Sequence, residues 1–165
     1  MKRDITIERH YPHRPDAIWR SLANREAMAE WLMPNTFEPR VGHRFEFRAR
    51  PAPGFDGIVR SQVITLDPPR TLAFTWTGGG IDTVVRFELE AVGAGTRLRL
   101  THSGFAGPKG VLLSFMLGNG WKGMLDRGLP RVLDAAASAA PGASGTPGCA
   151  QKTLFWRLFD RVFSR

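Results

Sequence analysis

The sequence predicts an α+β domain in which a curved antiparallel sheet wraps around a long C-terminal helix, with two short helices after the first strand. Three observations carry this reading. From Thr96 onward, Leu98, Leu100 and His102 alternate with Arg97, Arg99 and Thr101, so one strand has a dry face and a wet face. After the break SGFAGPKG, Leu117, Trp121, Met124, Leu125, Leu129, Val132 and Leu133 recur at helical spacing and form a broad apolar stripe. Near the N-terminus, two short amphipathic stretches follow one strand directly, which restricts the topology further.

Taken in order, Ile5, Ile7, Arg9 and Tyr11 alternate with Thr6, Glu8 and His10 as a first strand, closed by Pro12 and Pro15. Proline is tolerated in a first helical turn, and Ile18, Trp19 and Leu22 then mark a short helix. Asn24 is placed to cap a second helix that buries Ala27, Met28 and Trp31 and ends at Pro34. From Phe37 to Thr101 the texture is that of antiparallel strands. Phe45, Phe47 and Ala49 alternate with charged residues, PAPGFDG reads as a turn, and a strand from Ile58 to Leu66 runs into the DPPR turn. LAFTW follows, then the reversal at Gly78, Gly79 and Gly80. Thr83, Val85, Phe87 and Leu89 face one way while Asp82, Arg86 and Glu88 face the other, with Val84 an apolar exception on the wet side. Such one-sided alternation predicts a sheet wet on one face. In the long helix, Gly118, Gly120, Gly123 and Gly128 each cost roughly 1 kcal/mol against alanine where they are interior. Pro130 lacks the N–H that would reach the carbonyl of Asp126, so a bend is expected there.

A chain of 165 residues, 42% hydrophobic and 23% charged, suits one soluble domain. The net charge of +8 is spread through strands and helices without a cluster or a nucleic-acid motif, so no nucleic-acid partner is expected. Cys149 is the lone cysteine, which excludes an intramolecular disulfide and a cysteine-built metal site. MKRDITIERHY holds no apolar secretory segment, no run approaches the roughly eighteen apolar residues of a membrane span, and a cytoplasmic protein is expected.

Several of these segments together resemble the bacterial homologues of the activator of the heat-shock protein 90 ATPase. They are the run from Ile5 through Trp19, Trp31, VGHRFEFR, DPPRTLAFTW, GTRLRLTHSGF, and the pair Gly120 and Trp121, covering roughly Lys2 to Ala137. That family sits in the START-like, helix-grip (SRPBCC) superfamily of polyketide cyclases, pathogenesis-related proteins and lipid carriers. The resemblance implies a sheet gripping a long helix with a cavity between them, and members that bind apolar small molecules or partner proteins. It brings no catalytic residue set. The strand after PAPGFDG is slightly long for the pattern, which a bulge would absorb.

Trp31, Phe47, Trp76, Phe87, Phe105 and Trp121 should converge beneath the long helix, where they serve as core, as the lining of an apolar cavity, or both. His102 joins them on the inward strand face. An imidazole there either contacts a ligand, acts as an acid–base group, or is satisfied structurally; no inward acid is evident to orient it. His10, His13 and His43 lie in turns or on wet faces, so neither a metal nor another cofactor is expected. The leading functional expectation is binding of a hydrophobic or aromatic small molecule between sheet and helix. The alternatives are a protein–protein or chaperone-associated role and a cyclase-like enzyme.

The chain divides into a domain over 1–137, a flexible small-residue linker over 138–150 and a tail over 151–165. If helical, the tail places Leu154, Phe155, Leu158, Phe159, Val162 and Phe163 on one face beside Lys152, Arg157, Arg161 and Arg165. A segment this short needs a surface to fold against. Its own domain, a second copy in a homodimer, and an anionic membrane are the surfaces weighed, the last as a peripheral contact.

Overall fold

The computed structural model describes residues 1–139; the tail and nearly all of the linker expected from the sequence lie outside the described residues. The elements run β1 (Lys2–Tyr11), α1 (Pro15–Leu22), α2 (Arg25–Trp31), β2 (Arg44–Arg48), β3 (Ile58–Asp67), β4 (Thr71–Gly78), β5 (Ile81–Val92), β6 (Gly95–Ala106) and α3 (Gly107–Gly123). A π-helical turn over Met124–Gly128 then leads into α4 (Leu129–Ser138). The strands form one six-stranded antiparallel sheet in the order β1-β6-β5-β4-β3-β2. Strands β2 to β6 are a meander of consecutive neighbours, and β1 joins its far edge beside β6.

The alternations set which face is buried. Thr83, Val85, Phe87 and Leu89 of β5 are buried, as are Leu98, Leu100 and His102 of β6, and Val84 lies on the outer face. That outer face carries cross-strand ion pairs such as Glu8 with Arg99 and Glu90 with Arg97. Asn24 caps α2 by accepting the Ala27 N–H at 2.8 Å, and α1 and α2 both pack against α4. The long third strand does contain a bulge: Val63 faces Phe74 but Thr65 faces Ala73, leaving Ile64 as the extra residue.

A second bulge was not evident in the pattern. Arg3 pairs with Phe105 and Ile5 with His102, so β6 carries one residue more than β1 across this interval. Gly104 supplies the turn in the chain with φ +99°, a conformation that side-chain-bearing residues rarely adopt. As a result His102 and Phe105, three positions apart, both point inward and are fully buried.

The bend expected at Pro130 takes the form of the π-helical turn just before it. The Leu129 N–H reaches back to the Met124 carbonyl, one residue further than in an α-helix. Continuing that pattern, the Leu125 carbonyl would need an N–H from Pro130, which has none. The buried Tyr11 hydroxyl donates to it instead, at 2.7 Å, and Gly128 lets the turn lie against the backbone of Trp31. Burial raises the Tyr11 phenol above its ordinary range, so it stays a donor. Tyr11→Phe strands this carbonyl, and urea denaturation should show a loss of about 1–3 kcal/mol; an unchanged midpoint would show that water replaces the hydroxyl.

Candidate functional site

The inward residues of the sheet and the stripe of α3 and α4 meet in a dense aromatic cluster. Trp31 lies edge-on to Phe87 (6.0 Å between ring centroids), and Phe87 edge-on to Trp121 (5.9 Å). Trp121 lies against Trp76 (5.7 Å) and Trp76 against Phe47 (5.4 Å), while His102 sits between Phe105 (4.6 Å) and Trp76 (5.4 Å). All the rings singled out from the sequence therefore belong to one connected cluster, and each is at most 3% exposed.

His102 is held at the centre of a hydrogen-bond relay. The Trp121 Nε1–H donates to His102 Nδ1 at 3.1 Å. An indole can only donate, so Nδ1 is the acceptor and the imidazole proton sits on Nε2. That N–H donates to Thr83 Oγ1 at 2.8 Å, and the Thr83 hydroxyl donates to the Trp76 carbonyl at 2.9 Å. Every donor and acceptor in the relay is used. Burial among rings, with no carboxylate beside it, pushes the His102 pKa down to about 3, so the ring is neutral at ordinary pH. A neutral imidazole with both nitrogens engaged inside the protein ties the sheet to α3.

The open space lies to one side of this cluster. A hollow of about 230 Å³, partly open to solvent, runs between the 51–57 turn, the β4–β5 turn and the first half of α3. Its wall includes Met33, Phe55, Val59, Trp76, Ile81 and, from the helix, Leu112, Leu113, Met116 and Leu117. Of the rings picked out from the sequence, Trp76 lines this hollow; Trp31, Phe47, Phe87, His102, Phe105 and Trp121 are packed behind it. Trp76 is the partition, with the cluster on one side and the space on the other.

Sequence reasoning missed the wall's other members. Phe55 stands in a proline- and glycine-rich turn, where a large ring has no place in any strand alternation. Leu112 and Met116 lie off the apolar stripe, while Leu113, four residues before Leu117, extends it, so the first half of α3 is apolar on more sides than one buried face requires. Both were usable signals. Among the described residues no set of His, Cys, Asp and Glu could hold a metal ion, and no helix is long and apolar enough to cross a membrane.

A sheet gripping one long helix, with an apolar hollow between them, defines the START-like, helix-grip (SRPBCC) class, a fold consistent with ligand binding in a hydrophobic cavity. The chain belongs to the family described as Activator of Hsp90 ATPase homolog 1-like protein, which matches residues 12–134. Among solved structures, protein MLL2253 from Mesorhizobium loti is 33% identical with a TM-score of 0.72, covering 81% of this chain and 98% of its own. Protein BH1534 from Bacillus halodurans (24% identity, TM-score 0.67, 81% of this chain and 99% of that one) shares the fold. So does the Aha1 dimer from Colwellia psychrerythraea (21%, TM-score 0.63, 74% and 90%). No curated protein matches the chain at a significant level.

Proposed function

We propose that the protein binds a compact apolar small molecule in the hollow beside Trp76. The observation that carries this reading is the wall itself, which apart from Lys109 is built of apolar side chains with glycines at the turns. An apolar occupant removes this lining from water, which is favourable in proportion to the apolar area buried. The volume lies below the roughly 300–1,000 Å³ of sites that take drug-sized ligands. That favours one or two rings or a medium-length acyl chain over a long lipid.

His102 has no reacting role in this reading, because its nitrogens are committed to Trp121 and Thr83. Inside the hollow, recognition rests on shape and apolar contact. The full-length protein should bind an apolar fluorescent probe, and native mass spectrometry of freshly purified material should detect a retained small molecule. Met116→Trp, which fills the hollow, should weaken probe binding by about tenfold or more, in line with the loss of a buried apolar contact. A well-folded wild type that takes up no probe would count against the proposal and would move attention to a protein-partner role.

A further inference from the structure

We propose that the occupant is a compact amphiphilic monoanion, an apolar body bearing one carboxylate, and that Lys109 holds the carboxylate at the mouth of the hollow. This rests on the binding reading above and names the ligand class of the same site. Among the described wall residues, Lys109 is the only one with an ionisable side chain. Its position is defined from the opposite wall. A Cβ placed on Gly80 would lie 2.8 Å from Lys109 Nζ and 3.6 Å from its Cε, so the lysine reaches across to the β4–β5 turn. The missing side chain at Gly80 (φ +84°) is what leaves room for the ammonium there.

Lys109 has no ion-pair partner among the described residues, although acids flank the same wall. Asp56, next to Phe55, is taken by Arg60 at 2.9 Å and by the Ile58 N–H at 3.1 Å. Asp82, next to Ile81, accepts from the Thr77 hydroxyl at 3.0 Å. Other basic residues pair instead: Arg9 with Asp126, Arg99 with Glu8, Arg60 with Asp56. No acidic residue stands in the first turn of α3 to compete for Lys109. The wall itself thus carries a single charge, the Lys109 ammonium, with no ion-pair partner among the described residues, above an uncharged interior.

Such an arrangement orients its ligand. A carboxylate inside the hollow would be buried without a partner, which is heavily penalised. At the rim it keeps part of its water and meets the ammonium while the apolar body enters. Lysine is a compact charge on a flexible stem and lacks the planar fork of arginine. The site therefore selects for charge sign more than for headgroup shape, and the preference is moderate and weakened by salt.

The test uses the full-length protein and compares octanoate with 1-octanol as competitors of the bound fluorescent probe. Octanoate should bind about three- to tenfold more tightly at low ionic strength, as expected for a partly solvated ion pair. The ratio should fall to one or below in Lys109→Gln, and Lys109→Glu should favour octylammonium over octanoate. If neither competitor displaces the probe at the hollow, the binding reading itself fails, and this inference with it. If octanol competes as well as octanoate in the wild type, or if the octanoate preference survives Lys109→Gln, the hollow binds apolar molecules and the assignment of an anion to Lys109 is overturned.

Discussion

Replacing Trp121 by alanine should lower the unfolding free energy by about 3–5 kcal/mol, the range for removing a large aromatic side chain from a core. Trp121 is 1% exposed and lies against both Trp76 and Phe87. It does not line the hollow, so its removal leaves a new void in packed material. The substitution also removes the donor to His102 Nδ1. Trp121→Phe separates the two contributions: it keeps most of the ring contact but strands the imidazole acceptor, and should cost about 1–3 kcal/mol. Denaturant titration of both variants measures each loss. A loss below about 1 kcal/mol for the alanine variant would mean that the ring borders empty space and that the cluster is not the packed centre described above.

The second large effect concerns pH. Burial holds the His102 pKa near 3 in the folded protein, while an unfolded imidazole titrates near 6.5. Between those values the unfolded chain binds a proton that the folded chain refuses. Stability from this group is therefore complete above about pH 6.5 and falls as the solution is acidified, by up to about 1.4 kcal/mol per pH unit. From pH 7.5 to pH 5 the loss should be about 2 kcal/mol. Glu8 and Asp56, held below the usual carboxylate range by Arg99 and Arg60, begin to lose their contribution only at lower pH. His102→Gln should start from a lower stability yet show a flatter profile over the same interval. Equal pH dependence in the two proteins would contradict the buried neutral imidazole.

Much of the fold was legible because it is periodic. The alternation from Thr83 to Leu89, with Val84 as its exception, and the stripe from Leu117 to Leu133 record which side of each element meets the core. Asn24 signals a cap for a reason local to its own side chain. The features that escaped notice depend on events between elements. Phe105 is expected among the inward rings, but the extra residue at Gly104 that puts it on the His102 face is not announced by a period-two pattern. Pro130 announces a broken helix but not that a π-helical turn and Tyr11 repair it. The site is the clearest case. Inward rings can pack solidly or enclose a space, and the same pattern serves both; here they pack, and the hollow opens where the 51–57 turn stands back from α3. Lys109 could not be singled out from the sequence because its significance comes from Gly80 on the opposite wall.

The position of β1 has a consequence for how the chain assembles. It is the first of these strands to be made and, among the described residues, an edge strand whose one sheet neighbour is β6, with Tyr11 paired to Thr96 and Lys2 to Ala106. Strands β2 to β6 pair with consecutive neighbours and can zip up hairpin by hairpin, each closing a short loop. During synthesis β1 has no strand to receive it until Gly95–Ala106 has emerged, and the Tyr11 hydroxyl has no carbonyl until Leu125 follows. The nascent chain therefore carries an unpaired, partly apolar strand until β6 has been made, which is the interval in which it is most open to pairing with another chain.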